Sequence, residues 1–220
     1  MSGAARPAGV THPRFHLADH PLIQHKLSHL RDQATPLRDM QALASEITTL
    51  LICEATRGLE TEEVRIRTPM EATTARRIRG KKPVLVPILR AGLGMVPGAC
   101  ALIPGARVGH VGLYRNEETL EPVEYYVKIP PSPSERLFLV LDPMLATGGS
   151  ASAALRLLKS HGARSLMLLC LVAAPEGVRR LEEDHPDVAV HAAALDRELN
   201  ERGYILPGLG DAGDRLFGTR

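Results

Sequence analysis

The chain has 220 residues, of which 44% are hydrophobic and 24% charged. That content suits one folded α/β-sized unit and excludes a disordered chain. With 27 basic against 25 acidic residues, net +2, the charge is too balanced to argue for a nucleic-acid partner.

Cys53, Cys100 and Cys170 lie far apart among apolar neighbours, with no CxxC pair. That pattern argues against a disulfide framework or a zinc site and for a reducing compartment. No apolar run approaches the roughly 20 residues of a membrane span, and the N-terminal stretch carries no apolar leader. A cytoplasmic protein without a membrane partner is expected.

Residues 1–15, "MSGAARPAGVTHPRF", read as a flexible tail ahead of a single domain over 16–220. "HPLIQHKLSHLRDQ" reads as a helix carrying His20, His25 and His29. His25 and His29 stand one turn apart, as two metal ligands would, but surface or packed histidines are the simpler reading. A longer helix follows in "TPLRDMQALASEITTLLICEATRG", with Thr35 as N-cap, Pro36 at the first helical position and Gly58 as the closing glycine. Its apolar stripe is Leu37, Met40, Leu43, Ala44, Ile47, Leu50, Leu51 and Ala55.

From Pro83 the pattern changes. "PVLVPIL", "RLFLVL", "SLMLLCLVA" and "DVAVHAAAL" are short apolar runs, the mark of strands buried on both faces. "GSASAALRLLKSHG", closed by Gly162, and "PEGVRRLEEDHP" read as helices between them. "ARVGHVGLYR" and "EPVEYYVKIP", joined by the polar "NEETL", read as a hairpin arm over about 108–130. The alternation predicts an α/β fold, a largely parallel sheet flanked by helices. The end of the chain, "GYILPGLGDAGDRLFGTR", is glycine-rich with little periodicity and reads as a functional loop over about 203–218.

Ligands of such sheets gather outside the carboxyl ends of the strands. "DPMLATGGS" stands at such an end, running from Asp142 through Pro143, Met144, Leu145 and Ala146 to Thr147, Gly148, Gly149 and Ser150. The last four lead into a helix N-terminus, where free N–H groups, the positive dipole end and two hydroxyls suit a phosphate. An ordinary strand-to-helix turn is the competing reading. No Lys follows the glycines, so this is not a Walker loop, and it is not GxGxxG. Asp142 would repel a phosphate placed beside it, but set back at the strand end it can accept hydrogen bonds from sugar hydroxyls. Acid first and phosphate cradle second describe a ribose-5-phosphate site.

The strand, the acid and "ATGGS" resemble the ribose-phosphate signature of the type I phosphoribosyltransferases. Those enzymes usually carry two adjacent acids, whereas this chain has Asp142-Pro143. The departure is itself a feature of the uracil phosphoribosyltransferase branch. The same branch is matched in order by "VPILRAGLGMVPG", "GLYRNEETLEPV", "LVAAPEG" and "NERGYILPGLGDAGDRLFGT", over roughly residue 65 to the C-terminus.

The resemblance implies formation of UMP and diphosphate from uracil and phosphoribosyl diphosphate, for pyrimidine salvage. It implies that Arg90, in a loop that often holds a non-proline cis peptide, contacts the diphosphate. It brings Arg115 over the site on the arm. It gives Asp142 and the loop through Ser150 to the ribose 5-phosphate, and gives uracil to Ile205, Gly210, Asp211 and Ala212, largely through main chain. Asp142, Arg115 and Asp211 would be the catalytic groups. Mg²⁺ would ride on the diphosphate, with Asp211 facing it, while Asp214 would be structural.

GTP activates some relatives, but no motif marks its site here. The apolar helices before residue 65 exceed what one small sheet needs, so a homo-oligomer, dimer or tetramer, is expected. Transfer to a purine base and an RNA-binding regulator on the same fold are the rival readings.

Overall fold

The structure is a computed structural model that describes residues 13–115 and 122–219, the side chains of 113–115 and 122–125 excepted. The apolar runs become strands of one parallel sheet. In chain order the elements are β1 (Phe15–Leu17), α1 (Pro21–Arg31), α2 (Leu37–Ala55), β2 (Thr61–Arg67), β3 (Ala72–Ile78), β4 (Val84–Pro87), α3 (Val96–Leu102), β5 (Arg107–Val108), β6 (His110–Arg115) and β7 (Pro122–Lys128). They continue with β8 (Leu137–Leu141), β9 (Met144–Leu145), α4 (Gly149–Ser160), β10 (Ser165–Ala173), α5 (Pro175–Asp184), β11 (Ala189–Leu195), β12 (Glu198–Leu199), β13 (Ile205–Leu206) and α6 (Ala212–Phe217).

The sheet runs β1-β11-β10-β8-β4-β5, with β9 added beside β10, and every pairing in it is parallel. Its central strands β4, β8 and β10 are mainly apolar because alternate residues enter two different cores. Leu85, Leu139, Leu141, Leu169 and Leu171 face α1, α2 and α3, while Val84, Val86, Phe138, Val140, Leu168 and Cys170 face α4 and α5. Burying both faces fixes the register, since a one-residue slip would exchange the two cores.

Three expectations need correction. Phe15, placed in the tail, is buried in β1 and paired with Val190 of β11, because the sheet edge offers an apolar seat for its ring. Residues 1–12 of that tail lie outside the described residues. Thr35 does not cap α2: that helix starts after Pro36 without a side-chain cap, and Thr35 Oγ1 donates instead to the His29 carbonyl at the end of α1. Gly58 is not its closing glycine either. The helix ends three residues earlier, where Thr56 donates both N–H and Oγ1–H to the Ile52 carbonyl.

The segment over 61–78 has no counterpart in the sequence reading. Strands β2 and β3 form an antiparallel hairpin whose residues are mostly exposed. The arm, β6 with β7, is a second hairpin, tied to the main sheet by a bridge between Ile88 and Val111. Its connection, 116–121, lies outside the described residues.

Candidate active site

Strands β4, β8, β10 and β11 all end on the same side, and the motif residues stand there. After β8 the chain places Asp142, whose N–H donates to the Leu169 carbonyl at 3.1 Å. Burial at the strand end pushes its carboxyl up to about 7, countered only weakly by the Met144 N–H, 3.5 Å from Oδ1. The neighbouring Cys170 thiol is pushed up as well, by burial and then by the Asp142 charge. A half-buried carboxyl given so few protein donors can accept hydrogen bonds from a ligand that ionises it.

From Met144 and Leu145 in β9 the chain turns through Ala146 and Thr147 to Gly148, at φ +76°, and enters α4. No side chain caps this helix, so its first N–H groups face outward with the positive end of the dipole. Thr147 and Ser150 are exposed beside them, and Thr147 Oγ1 accepts a long bond from the Gly149 N–H at 3.4 Å. One neighbour escaped the sequence reading. A carbon built on Gly149 would lie 3.5 Å from Arg180 Nη1, so α5 sets a guanidinium beside the cradle. The only signal was an arginine pair in "GVRRLEED", which looks like any solvated helix face.

After β4, the Ile88 N–H donates to the Leu141 carbonyl and the Leu89–Arg90 peptide is cis. Gly92 then passes so close to β8 that a side-chain carbon there would fall 2.3 Å from the Leu141 oxygen. Only glycine allows that approach. It leaves Arg90 exposed at the site's edge, with Nη2 3.9 Å from where a carbon on Gly213 would stand. The Arg90 loop and the C-terminal loop therefore meet.

That C-terminal loop is more ordered than its sequence suggests. Ile205 is buried in β13, paired across from Leu199. Glu176, in the first turn of α5, accepts from the Leu199 N–H at 3.2 Å and ties this small hairpin to the sheet end. At the hairpin's turn, Gly203 comes near Thr147: a carbon built on it would be 3.7 Å from Cγ2. Gly210 is exposed at φ +76°. Asp211 caps α6, its Oδ1 accepting from the Asp214 N–H at 3.0 Å, and Ala212 is the buried first residue of that helix. Asp214 accepts from the Thr219 hydroxyl at 2.6 Å and closes the far end of the same helix, a structural role.

The structure thus brings Asp142, the 143–150 loop, Arg90 and the 205–212 segment to one sheet end. The Arg115 backbone ends β6, and its side chain lies outside the described residues. His25 and His29 make an edge-to-face ring contact, and no group of three metal-ligating side chains occurs among the described residues. Nor is any described helix long and apolar enough to cross a membrane.

A parallel sheet flanked by helices, with a glycine loop after its β8 strand and a hairpin arm beside it, is the fold of a phosphoribosyltransferase. An adenine phosphoribosyltransferase of Trypanosoma brucei shares this fold at a TM-score of 0.58 and 10% identity, over 83% of this chain and 84% of that one. An Aquifex aeolicus protein of known structure superposes at a TM-score of 0.88 with 39% identity, covering 93% of this chain and 98% of that one. A sequence model of the uracil phosphoribosyltransferase family matches residues 17–219. A uracil phosphoribosyltransferase of Listeria innocua is 58% identical over 205 residues, 93% of this chain and 98% of that protein. One of Bacillus thuringiensis is 56% identical over 207 residues, 94% and 99% of the two chains. The chain belongs to the uracil phosphoribosyltransferase family.

Proposed function

We infer that this sheet end converts uracil and 5-phospho-α-D-ribose 1-diphosphate to UMP and diphosphate. The observation that carries the assignment of residues is the convergence of an uncapped helix start, an acid set back from it, and the meeting of the Arg90 and 211–213 loops. The 5-phosphate takes the α4 N–H groups, Thr147 and Ser150, with Arg180 alongside. Asp142 takes the ribose hydroxyls. Arg90 takes the diphosphate, joined by Arg115 from the arm. Uracil lies against main chain of Ile205, Gly210, Asp211 and Ala212.

Uracil N1 bonds to the ribose C1′ as the bond from C1′ to the diphosphate oxygen breaks, and the N1 proton passes to the departing diphosphate or to solvent water. No side chain among the described residues is assigned as a nucleophile. The acceleration comes from alignment and from positive charge on the departing diphosphate. The closed arm excludes water, which would compete for an oxocarbenium-like carbon.

Mg²⁺ fits this donor set. It prefers oxygen ligands, keeps several waters and needs few protein carboxylates. The Asp211 oxygen that does not cap α6 is available, and most of the coordination would come from the substrate. Bound there, the ion neutralises diphosphate charge.

The exposed β2–β3 hairpin supports a homo-oligomer, dimer or tetramer, because a two-stranded hairpin is marginal without a surface to lie on. GTP activation, known for some relatives, and cytoplasmic residence complete the proposal. The deciding experiment is UMP formation from uracil and phosphoribosyl diphosphate with and without Mg²⁺, repeated with GTP and paired with light scattering for oligomeric state. UMP formation with uracil but not with guanine or xanthine is expected. Preference for a purine would overturn the assignment of the base loop.

A further inference from the structure

The uracil loop is gripped from behind by residues that stand outside the proposed contacts. At the end of β11, Asp196 is buried, its side chain 5% exposed. Arg31, the last residue of α1, meets it with both arms of the guanidinium: Nη1 donates to Oδ2 and Nη2 to Oδ1, each at 2.7 Å. The pair does not close on itself. Arg31 Nη1 also donates to the Gly208 carbonyl at 2.8 Å, and the Gly208 N–H donates to Asp196 Oδ2 at 2.8 Å. One residue of the loop is therefore held at both of its main-chain polar groups by the two halves of one ion pair.

Gly208 is suited to this grip and to little else. It sits at φ +61°, and a side-chain carbon there would fall 2.1 Å from the Ile205 carbonyl oxygen. The loop has folded back onto Ile205 at the point where the pair holds it. On the other side of that point, Arg215 of α6 donates to the Leu209 and Leu30 carbonyls at 3.0 and 2.9 Å. The anchors therefore bracket Gly208 and Leu209, between Ile205 and Gly210, and both lead back to the end of α1.

We propose that the Arg31–Asp196 pair is a positioning device for base recognition, setting the Ile205–Ala212 main chain at the spacing that uracil requires without touching the base. This rests on the assignment of uracil to that main chain. A backbone that reads a base cannot be tuned by its own side chains, so the accuracy of the reading has to be built by what holds the backbone. A bidentate guanidinium–carboxylate pair suits that task because its geometry is planar and fixed.

The test is steady-state kinetics of Arg31→Lys, Arg31→Gln and Asp196→Asn, with KM measured separately for uracil and for phosphoribosyl diphosphate. Loss of one charge-assisted bond to Gly208 should raise the uracil KM by roughly tenfold. The KM for phosphoribosyl diphosphate should rise by less than a third of that, since α4, Asp142 and Arg90 are anchored elsewhere and Asp211 is held separately by its cap bond to the Asp214 N–H. Arg31→Lys, which keeps the charge but loses the fork, should fall between wild type and Arg31→Gln. The double variant Arg31→Gln/Asp196→Asn should be no worse than the poorer single, because the two residues act as one unit.

Equal rises in both KM values, or unchanged uracil KM in variants whose melting temperature has dropped, would overturn the proposal and leave the pair a plain structural bridge. Should Asp196→Asn not fold, the Arg31 series decides alone. Ile205→Gly and Ala212→Val serve as controls for the underlying assignment. If they leave the uracil KM unchanged, the base lies elsewhere. If they raise it and the Arg31 series does not, only the positioning role fails.

Discussion

Asp142 is asked to be a carboxylate in a place that favours a carboxylic acid. Its folded pKa, about 7, lies above the ordinary value of 3.8, so the burial cost is absent below about pH 4, grows between pH 4 and 7, and is complete above 7. The full span corresponds to about 4 kcal/mol as an upper bound. Asp142→Asn should therefore melt higher than wild type in the ligand-free state at pH 8, with the difference shrinking toward pH 4. The same variant should lose about 10² or more in kcat/KM, because two ribose hydroxyls each give up a charge-assisted bond of about 1.5–3 kcal/mol. Thermal denaturation across pH, beside kinetics, checks both halves. A variant that is neither more stable at pH 8 nor slower would remove the acid from the site. At the other end of the ligand, uracil offers an N3–H donor between two carbonyls where cytosine offers an acceptor beside an amino donor. Main-chain reading should reject cytosine by about 10⁴. Ile205→Val and Ala212→Ser should leave that ratio nearly intact, because neither side chain does the reading. Appreciable cytosine turnover by either variant would show that side chains set the choice.

Elements were legible in the sequence where burial wrote them into it. The strands carrying Val84–Pro87, Leu137–Leu141 and Leu168–Ala173 are apolar because both faces are covered, and the acid and glycines after β8 mark the site at once. The β2–β3 hairpin was not legible, because strands exposed on both faces carry no alternation to read. Helix α6 was missed for a different reason: six residues are too few to show a period, although Asp211 and Gly218 stand at its two ends as cap residues do. The Arg31–Asp196–Gly208 linkage joins residues 165 and 177 positions apart, a distance across which no local pattern carries information. The arm belongs to this scale too. Arg115 ends β6, and on the reading above it reaches the diphosphate only when the arm lies over the site. Arg115→Ala should lower kcat by about 10², the magnitude of one lost transition-state donor, and leave uracil affinity within about twofold. Stopped-flow turnover and equilibrium uracil binding separate the two effects. Equal loss in both would place Arg115 at the base instead.

The whole molecule carries an acid-sensitive seam at the edge of the sheet. His191 of β11 is buried, and its ring stacks on His16 of β1 with centroids 4.6 Å apart and 21° between planes. Burial, then repulsion from the neighbouring His16, holds its pKa down at about 4 from an ordinary 6.5, against a weaker opposite pull from Glu54. The folded protein therefore keeps His191 neutral where the unfolded chain would protonate it. Stability from this residue is intact above pH 6.5, drains away as the pH falls toward 4, and is fully lost below that, about 3 kcal/mol in all as an upper bound. The His185 imidazole, pushed down chiefly by burial between α4 and α5, acts in the same direction. Its Nε2 lies 2.9 Å from the Ser152 carbonyl and its Nδ1 3.1 Å from Lys159 Nζ, so the N–H sits on Nε2 and protonation would set a second positive charge against the lysine. Both histidines bear on elements that lead to the site: His191 lies in β11, which runs into Asp196, and His185, just past the end of α5, bonds Ser152 of α4, the helix that begins at the glycine loop. Mild acid should therefore loosen the sheet edge and the α4–α5 contact together. His191→Gln should flatten the fall in melting temperature between pH 6.5 and 4 while leaving the value at pH 8 within a few degrees. If the two profiles stay parallel through that window, the acid sensitivity belongs to other groups and β1 is not the element that protonation releases.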